Sequence, residues 1–146
     1  MDRDKLMDAL VGQALPEWAI EVVSLNSVVA AQLGVTDTDV QCLHVLGQYG
    51  PATPGALARQ VNLTSGSASR MIDRLESAGC VRRVPDAADR RKVLIEPTEE
   101  GLARVAAAYA GLVERTRADL SGFSDAELAT VLRFVRSAAS STAASR

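Results

Sequence analysis

The stretch from Thr53 to Thr98 constrains this chain most. It reads TPGALARQVNLTSGSASRMIDRLESAGCVRRVPDAADRRKVLIEPT, and its apolar spacing is first helical and then alternating. Thr53 is placed to cap a short helix with Pro54 at its first position, where a missing N–H costs nothing. Leu57 and Val61, four apart, give that helix an inward stripe. Asn62 and Leu63 make a turn, and Thr64 caps a second helix, with Leu63 and Ala68 set as a small hydrophobic staple. On the second helix Ala68, Ile72 and Leu75 share one face, with Met71 at its margin. Ser65, Ser69, Arg70, Asp73 and Arg74 lie on or beside the opposite face. Gly79 stands where a helix stop is expected.

Two short strands follow, Cys80 to Val84 and Lys92 to Glu96. The polar PDAADRR between them ends in two arginines at a hairpin tip or its return arm. Helix, turn, longer helix and basic hairpin form the order of a winged helix-turn-helix. In that unit one helix enters the major groove of DNA and the hairpin reaches beside it. The expected fold class is mostly α with a small β-wing.

The rest of the chain is helical in pattern. Asp2 to Leu15 forms a short amphipathic segment with Leu6, Leu10 and Met7 on one side, which Pro16 breaks or restarts. Glu17 to Leu33 carries Ile20, Val23, Val28 and Ala31 together with Val22, Leu25 and Val29, so it is apolar on more than one side and needs more than one partner. Gly34 ends it. Thr36 and Asp39 form a capping box for a helix to Tyr49, with Val40, Leu43 and Leu46 inward. Beyond the hairpin, Thr98 caps a long helix striped by Leu102, Val105, Tyr109, Leu112, Thr116 and Leu120. Ser124 and Glu127 cap a last helix, and the low-complexity tail from Ser137 is expected to fray. The domain reading is 1–34 N-terminal dimerisation helices, 35–97 winged helix-turn-helix, and 98–146 C-terminal dimerisation helices and tail.

Net charge is −2, yet from Pro54 to Lys92 eight basic residues face four acidic ones, giving +4 and leaving −6 for the remainder. Phosphate attraction is local, screened beyond roughly 8 Å at physiological salt, so a basic patch on an acidic body suits a nucleic-acid binder. Two cysteines without a disulfide framework, no signal peptide and no membrane-length apolar run fit a cytoplasmic chain. His44 and Cys42 lie two apart on one helix and point to different faces, so they make no nucleophile–base pair. No metal-ligand spacing or phosphate loop appears, and no enzyme, metal or cofactor is expected.

The segments VT…CL…L…YG, TPGALARQVNLTSGSASRMIDRLESAGCV and DAADRRKVLIEPTEEG resemble the MarR family of transcriptional regulators. The wing pattern of Asp-Arg-Arg, strand, Thr and a Gly three residues on is the most specific part. Pro97, Cys80, Ser67 and Ala68 depart from the family's usual residues. The resemblance implies a cytoplasmic homodimer with interlocked terminal helices, a sequence-specific double-stranded DNA-binding regulator and repressor on a pseudo-palindromic operator. Ser65, Ser67, Ser69 and Arg70 are then base-edge candidates, with Arg70 suited to guanine and Arg74 to phosphate. In the wing Arg91 takes the minor-groove position, oriented by Asp89, while Arg90 and Lys92 serve the backbone. An apolar pocket for a small aromatic or phenolic effector is implied between dimer helices and winged domain, with Trp18, Ile20, Asn26, His44 and Tyr109 as lining candidates.

Each assignment has a plainer counterpart. Ser65 and Ser67 can satisfy first-turn N–H groups, Arg74 can pair with Asp73 or Glu76, and Arg82 and Arg83 can be surface charges. Trp18 and Tyr109 can be dimer packing. Two other functions stay open: a winged-helix protein-interaction module with little DNA affinity, and a regulator switched by thiol oxidation at Cys42 or Cys80.

Overall fold

The computed structural model describes residues 2–146 and divides into two compact units, Met1–Ala108 and Tyr109–Arg146. The first unit opens with α1 (Arg3–Ala9), a π-helical turn (Leu10–Ala14) and α2 (Leu15–Leu33). Pro16 does not break this run. The Leu15 N–H reaches back five residues to the Leu10 carbonyl, and the widened turn admits the Pro16 ring at the second position of α2. Gly34 at φ 70° ends α2 with a left-handed turn, in which Gly34 and Val35 donate to the Ala31 and Ala30 carbonyls.

α3 (Asp37–Tyr49) starts with the capping box, the Asp39 N–H donating to Thr36 Oγ1 and the Thr36 N–H to Asp39 Oδ2. α4 (Pro54–Gln60) and α5 (Ser65–Ser77) are capped by Thr53 and Thr64 as their spacing requires. Between them Asn62 takes φ 56°, and the Asn62 and Leu63 N–H groups bond the Arg59 and Ala58 carbonyls. Asparagine tolerates that left-handed conformation better than other residues with a Cβ, so this turn bends sharply without a glycine. Gly79, φ 74°, closes α5 in the same way.

β1 (Val81–Pro85) and β2 (Val93–Pro97) pair antiparallel with Arg83 opposite Ile95, each strand one residue later than the alternation predicts. Ala52 adds a single bridge to Ile95. The core gathers Leu43, Leu46, Leu57, Met71, Ile72, Leu75 and Ile95. Met71, expected at the margin of the α5 face, is fully buried at its centre. Flanked by the small Ala68 and backed by Ile72 and Leu75, its flexible thioether fills what those residues leave.

α6 (Glu99–Leu120) begins where the Gly101 N–H donates to Thr98 Oγ1. In the second unit α7 (Asp125–Ala144) opens with the Ser124–Glu127 capping box. Its tail does not fray at Ser137 but stays helical to Ala144. Alanine is the best helix former, and Thr142 and Ser145 hydroxyls bond carbonyls four residues back.

Candidate nucleic-acid interface

α5 presents two faces. Ala68, Met71, Ile72 and Leu75 are buried, whereas Ser65, Ser69, Arg70, Asp73 and Arg74 are exposed and Ser67 is half-buried. Thr64 Oγ1 accepts the Ser67 N–H, and Ser67 Oγ accepts a 3.1 Å bond from Arg70 Nη2. Ser67 thus steadies an arginine beside the start of the helix, where base edges are read in the major groove.

Arg74 is not a free cation. Its Nε and Nη2 donate to Asp39 Oδ2 and Oδ1 at 3.2 and 2.9 Å, and the hydrogen-bonded carboxylate raises the arginine's pKa. Asp39 is wholly buried. The partner is neither Asp73 nor Glu76, and the pair forms a brace between α5 and α3. A carboxylate at the third position of α3 caps its own helix, lies out of water, and needs a cation to offset that burial.

Arg83 is a second brace. From β1 its Nη2 meets Asp73 Oδ1 at 2.7 Å and its Nη1 meets Glu76 Oε1 at 2.5 Å, tying wing to α5. The Asp73 hydrogen bond is the main cause of its raised pKa. The surface-charge reading of Arg83 missed this. The available signal is the Asp73–Glu76 pair, two carboxylates three apart on the exposed face of α5 that together attract a cation. Arg82 pairs with Glu96 on the facing strand.

The hairpin loop, 86–92, closes through the Asp86 N–H to the Lys92 carbonyl at 3.0 Å. Asp89 Oδ1 accepts from the Arg91 backbone N–H and from Arg91 Nε, at 3.1 and 3.2 Å. The Arg91 side chain so oriented is 91 % exposed. Arg59, Arg70, Arg90 and Lys92 make no ion pair with another described residue. Within the +4 segment 54–92, these unpaired cations lie on α4, the exposed face of α5 and the hairpin.

The lining candidates are distributed over α2, α3 and α6. Trp18 and Ile20, two residues apart on α2, point to different sides and are 59 % and 66 % exposed. Asn26 lines a shallow groove of about 350 Å³ with Val23, Asp37, Thr38 and Gln41. His44 stands on the outer side of α3 with its imidazole pKa lowered by partial desolvation, and Tyr109 is half-buried with its phenol pKa raised for the same reason. Cys42 and Cys80 are buried thiols. Desolvation first, and then the Asp39 charge, push Cys42 up to about 12. Burial also raises Cys80, which opposes thiolate reactivity. Among the described residues no group of His, Cys, Asp and Glu could hold a metal ion, and no single helix is long and apolar enough to cross a membrane.

Two capped helices joined at a left-handed asparagine, with a cation-tipped hairpin beside the second, define a winged helix-turn-helix DNA-binding protein. Residues 35–93 match the model of the MarR family. The chain is 33 % identical to the uncharacterised HTH-type transcriptional regulator YcgE of Bacillus subtilis, across 87 % of this chain and 82 % of that protein. A MarR family protein from Bacillus stearothermophilus superposes with a TM-score of 0.73 at 22 % identity, covering 98 % and 99 % of the two chains. A mutant of S. aureus MepR bound to an oligodeoxyribonucleotide gives 0.60 at 22 % identity, over 88 % and 94 %. This chain belongs to the MarR family, whose members are transcription regulators rather than enzymes.

Proposed function

We propose that this regulator binds a pseudo-palindromic duplex operator as a homodimer and represses transcription there. The observation that carries the reading is where the exposed cations of the basic segment lie. Arg70 sits on the outer face of α5, Arg90, Lys92 and the outstretched Arg91 on the hairpin, and the rest of the chain is acidic. In this reading Arg70, aimed by Ser67, contacts guanine, and Ser65 and Ser69 contact neighbouring base edges. Arg91, held by Asp89, enters the minor groove, and Arg90 and Lys92 hold phosphates.

Dimerisation is supported by apolar side chains that each unit leaves uncovered: Leu6, Leu10, Trp18 and Val23 in the first, Leu132, Phe134 and Val135 in the second. Uncovered apolar area of this kind marks an interface. Release by a small aromatic or phenolic acid belongs to the same reading, with Trp18, Ile20, Asn26, His44 and Tyr109 as the residues to substitute first.

Selection of bound duplexes from random DNA tests the proposal. The expected result is a two-fold-related repeat with half-site centres about 34–36 Å apart. Affinity falls steeply with salt, and Arg91→Ala weakens binding without loss of folding stability. Failure to enrich any duplex, with binding unchanged in both Arg70→Ala and Arg91→Ala, overturns it in favour of a protein-interaction module.

A further inference from the structure

We propose that Arg104 is a positioning residue that sets the half-site spacing the dimer accepts, by locking the end of α2 to the end of α5. The inference rests on the dimeric operator reading above.

Both helices finish in left-handed glycine turns. Those turns satisfy the carbonyls of Ala30 and Ala31 on α2, and of Leu75 and Glu76 on α5. The Leu33 and Ala78 carbonyls, each just before its turn's glycine, are left out of those bonds and stand at the negative ends of the two helix dipoles. One guanidinium serves both. Arg104 Nη2 donates to the Leu33 carbonyl at 3.2 Å, and Arg104 Nη1 donates to the Ala78 carbonyl at 3.1 Å. The same Nη1 lies 3.7 Å from Cys80 Sγ. A guanidinium is planar and rigid, so two bonds from its two terminal nitrogens fix the distance and the angle between their acceptors.

The base of this arginine is itself anchored. Thr98 Oγ1 donates to the Gly79 carbonyl at 2.6 Å, and the Thr98 N–H donates to the Cys80 carbonyl at 3.0 Å. Gly101 lies so close to the strand that a Cβ there would stand 2.5 Å from the Cys80 carbonyl oxygen. The first turn of α6 is therefore bolted to the junction of α5 and β1, and Arg104, one turn further on, reaches across to α2. α5 is the DNA-reading helix, and α2 carries uncovered apolar residues expected to face the second copy. Their relative angle, repeated by the two-fold axis, sets the separation of the two reading helices.

The test uses the full chain and duplexes carrying the selected half-sites, separated by spacers varied one base pair at a time. The wild type is expected to prefer one spacer. Arg104→Ala is expected to shrink that preference by roughly 2- to 30-fold while base preferences within each half-site stay the same. Arg104→Lys falls between, since an ammonium holds two carbonyls in no fixed plane. A purely structural role lowers the active fraction alike for every spacer and leaves the ratio unmoved. An unchanged ratio in both variants overturns the inference, and if Arg104→Ala does not fold, Arg104→Lys decides. A wild type that enriches no paired half-sites instead overturns the dimeric operator reading, and this inference with it.

Discussion

Arg74 and Asp39, separated by 35 residues, share a two-point hydrogen-bonded ion pair in which the carboxylate is fully buried and the arginine side chain is 46 % exposed. The pair ties the last turn of α5 to the first turn of α3. Removing the arginine strands a carboxylate that retains only its capping bond to the Thr36 N–H. Breaking fully buried pairs costs about 3–5 kcal/mol, and the half-exposed arginine reduces that here to about 1–3 kcal/mol. Arg74→Ala is expected to lose that much stability in chemical denaturation. Asp39→Asn/Arg74→Ala, which removes the stranded charge, should recover part of it; no recovery means the pair contributes nothing by charge.

The contacts of Arg83 lead to a different expectation, for affinity rather than folding. With Arg83 in place, one of the two negative charges of Asp73 and Glu76 is offset beside the exposed face of α5. Arg83→Ala leaves both carboxylates without a compensating charge and, on the proposed reading, is expected to weaken duplex binding by about 0.2–1 kcal/mol at moderate salt. Adding Asp73→Asn and Glu76→Gln should restore it. A direct phosphate contact by Arg83 would show as binding that the added substitutions do not rescue.

These braces mark the boundary of what can be read from residues in a line. Capping at Thr36, Thr53, Thr64 and Ser124 is local, satisfied within three residues, and each is legible. So is the hairpin, although alternation alone leaves its strands one residue out of place. Asp39 is legible as a cap but not as a buried anion, because its burial depends on α5 packing over it. Arg104 has no local signature at all: it looks like any polar residue on a long helix, and its acceptors are backbone atoms 26 and 71 residues away. Pro16 misleads for a subtler reason. The carbonyl clash that normally ends a helix is relieved by one wider turn, which no residue pattern announces.

Two glycines give a paired prediction. Gly101 lies against backbone, with a Cβ brought to 2.5 Å from the Cys80 carbonyl oxygen and 2.7 Å from Cys80 Cα, and backbone cannot move aside as a side-chain tip can. Gly101→Ala should destabilise by about 1–3 kcal/mol through overpacking. Gly12, in the π-helical turn, has nothing within 4 Å of its Cβ position. Gly12→Ala should stabilise by about 0.5–1 kcal/mol by reducing the freedom of the unfolded chain. Thermal unfolding of both variants checks the contrast. Similar shifts in the same direction would mean the close approach of α6 to Cys80 is wrong.

Alkaline pH offers the last test, and it bears on the thiol-switch reading. Burial pushes the Cys42 thiol from its ordinary 9.0 up to about 12 in the folded chain. Between those values the unfolded chain releases a proton that the folded chain keeps, so the folded state binds more protons and stability falls as pH rises. The contribution is fully present below pH 9 and declines by up to about 1.4 kcal/mol per pH unit above it. Cys80, raised mainly by burial, adds a decline of the same sign. Denaturant titrations of wild type and Cys42→Ala at pH 8 and pH 10.5 should show a smaller loss in the variant. A thiol protonated at neutral pH and closed to solvent should also resist peroxide until the chain unfolds, leaving operator affinity unchanged after treatment. Rapid oxidation of the folded protein with loss of DNA binding would reverse this conclusion and reinstate a redox-sensing cysteine.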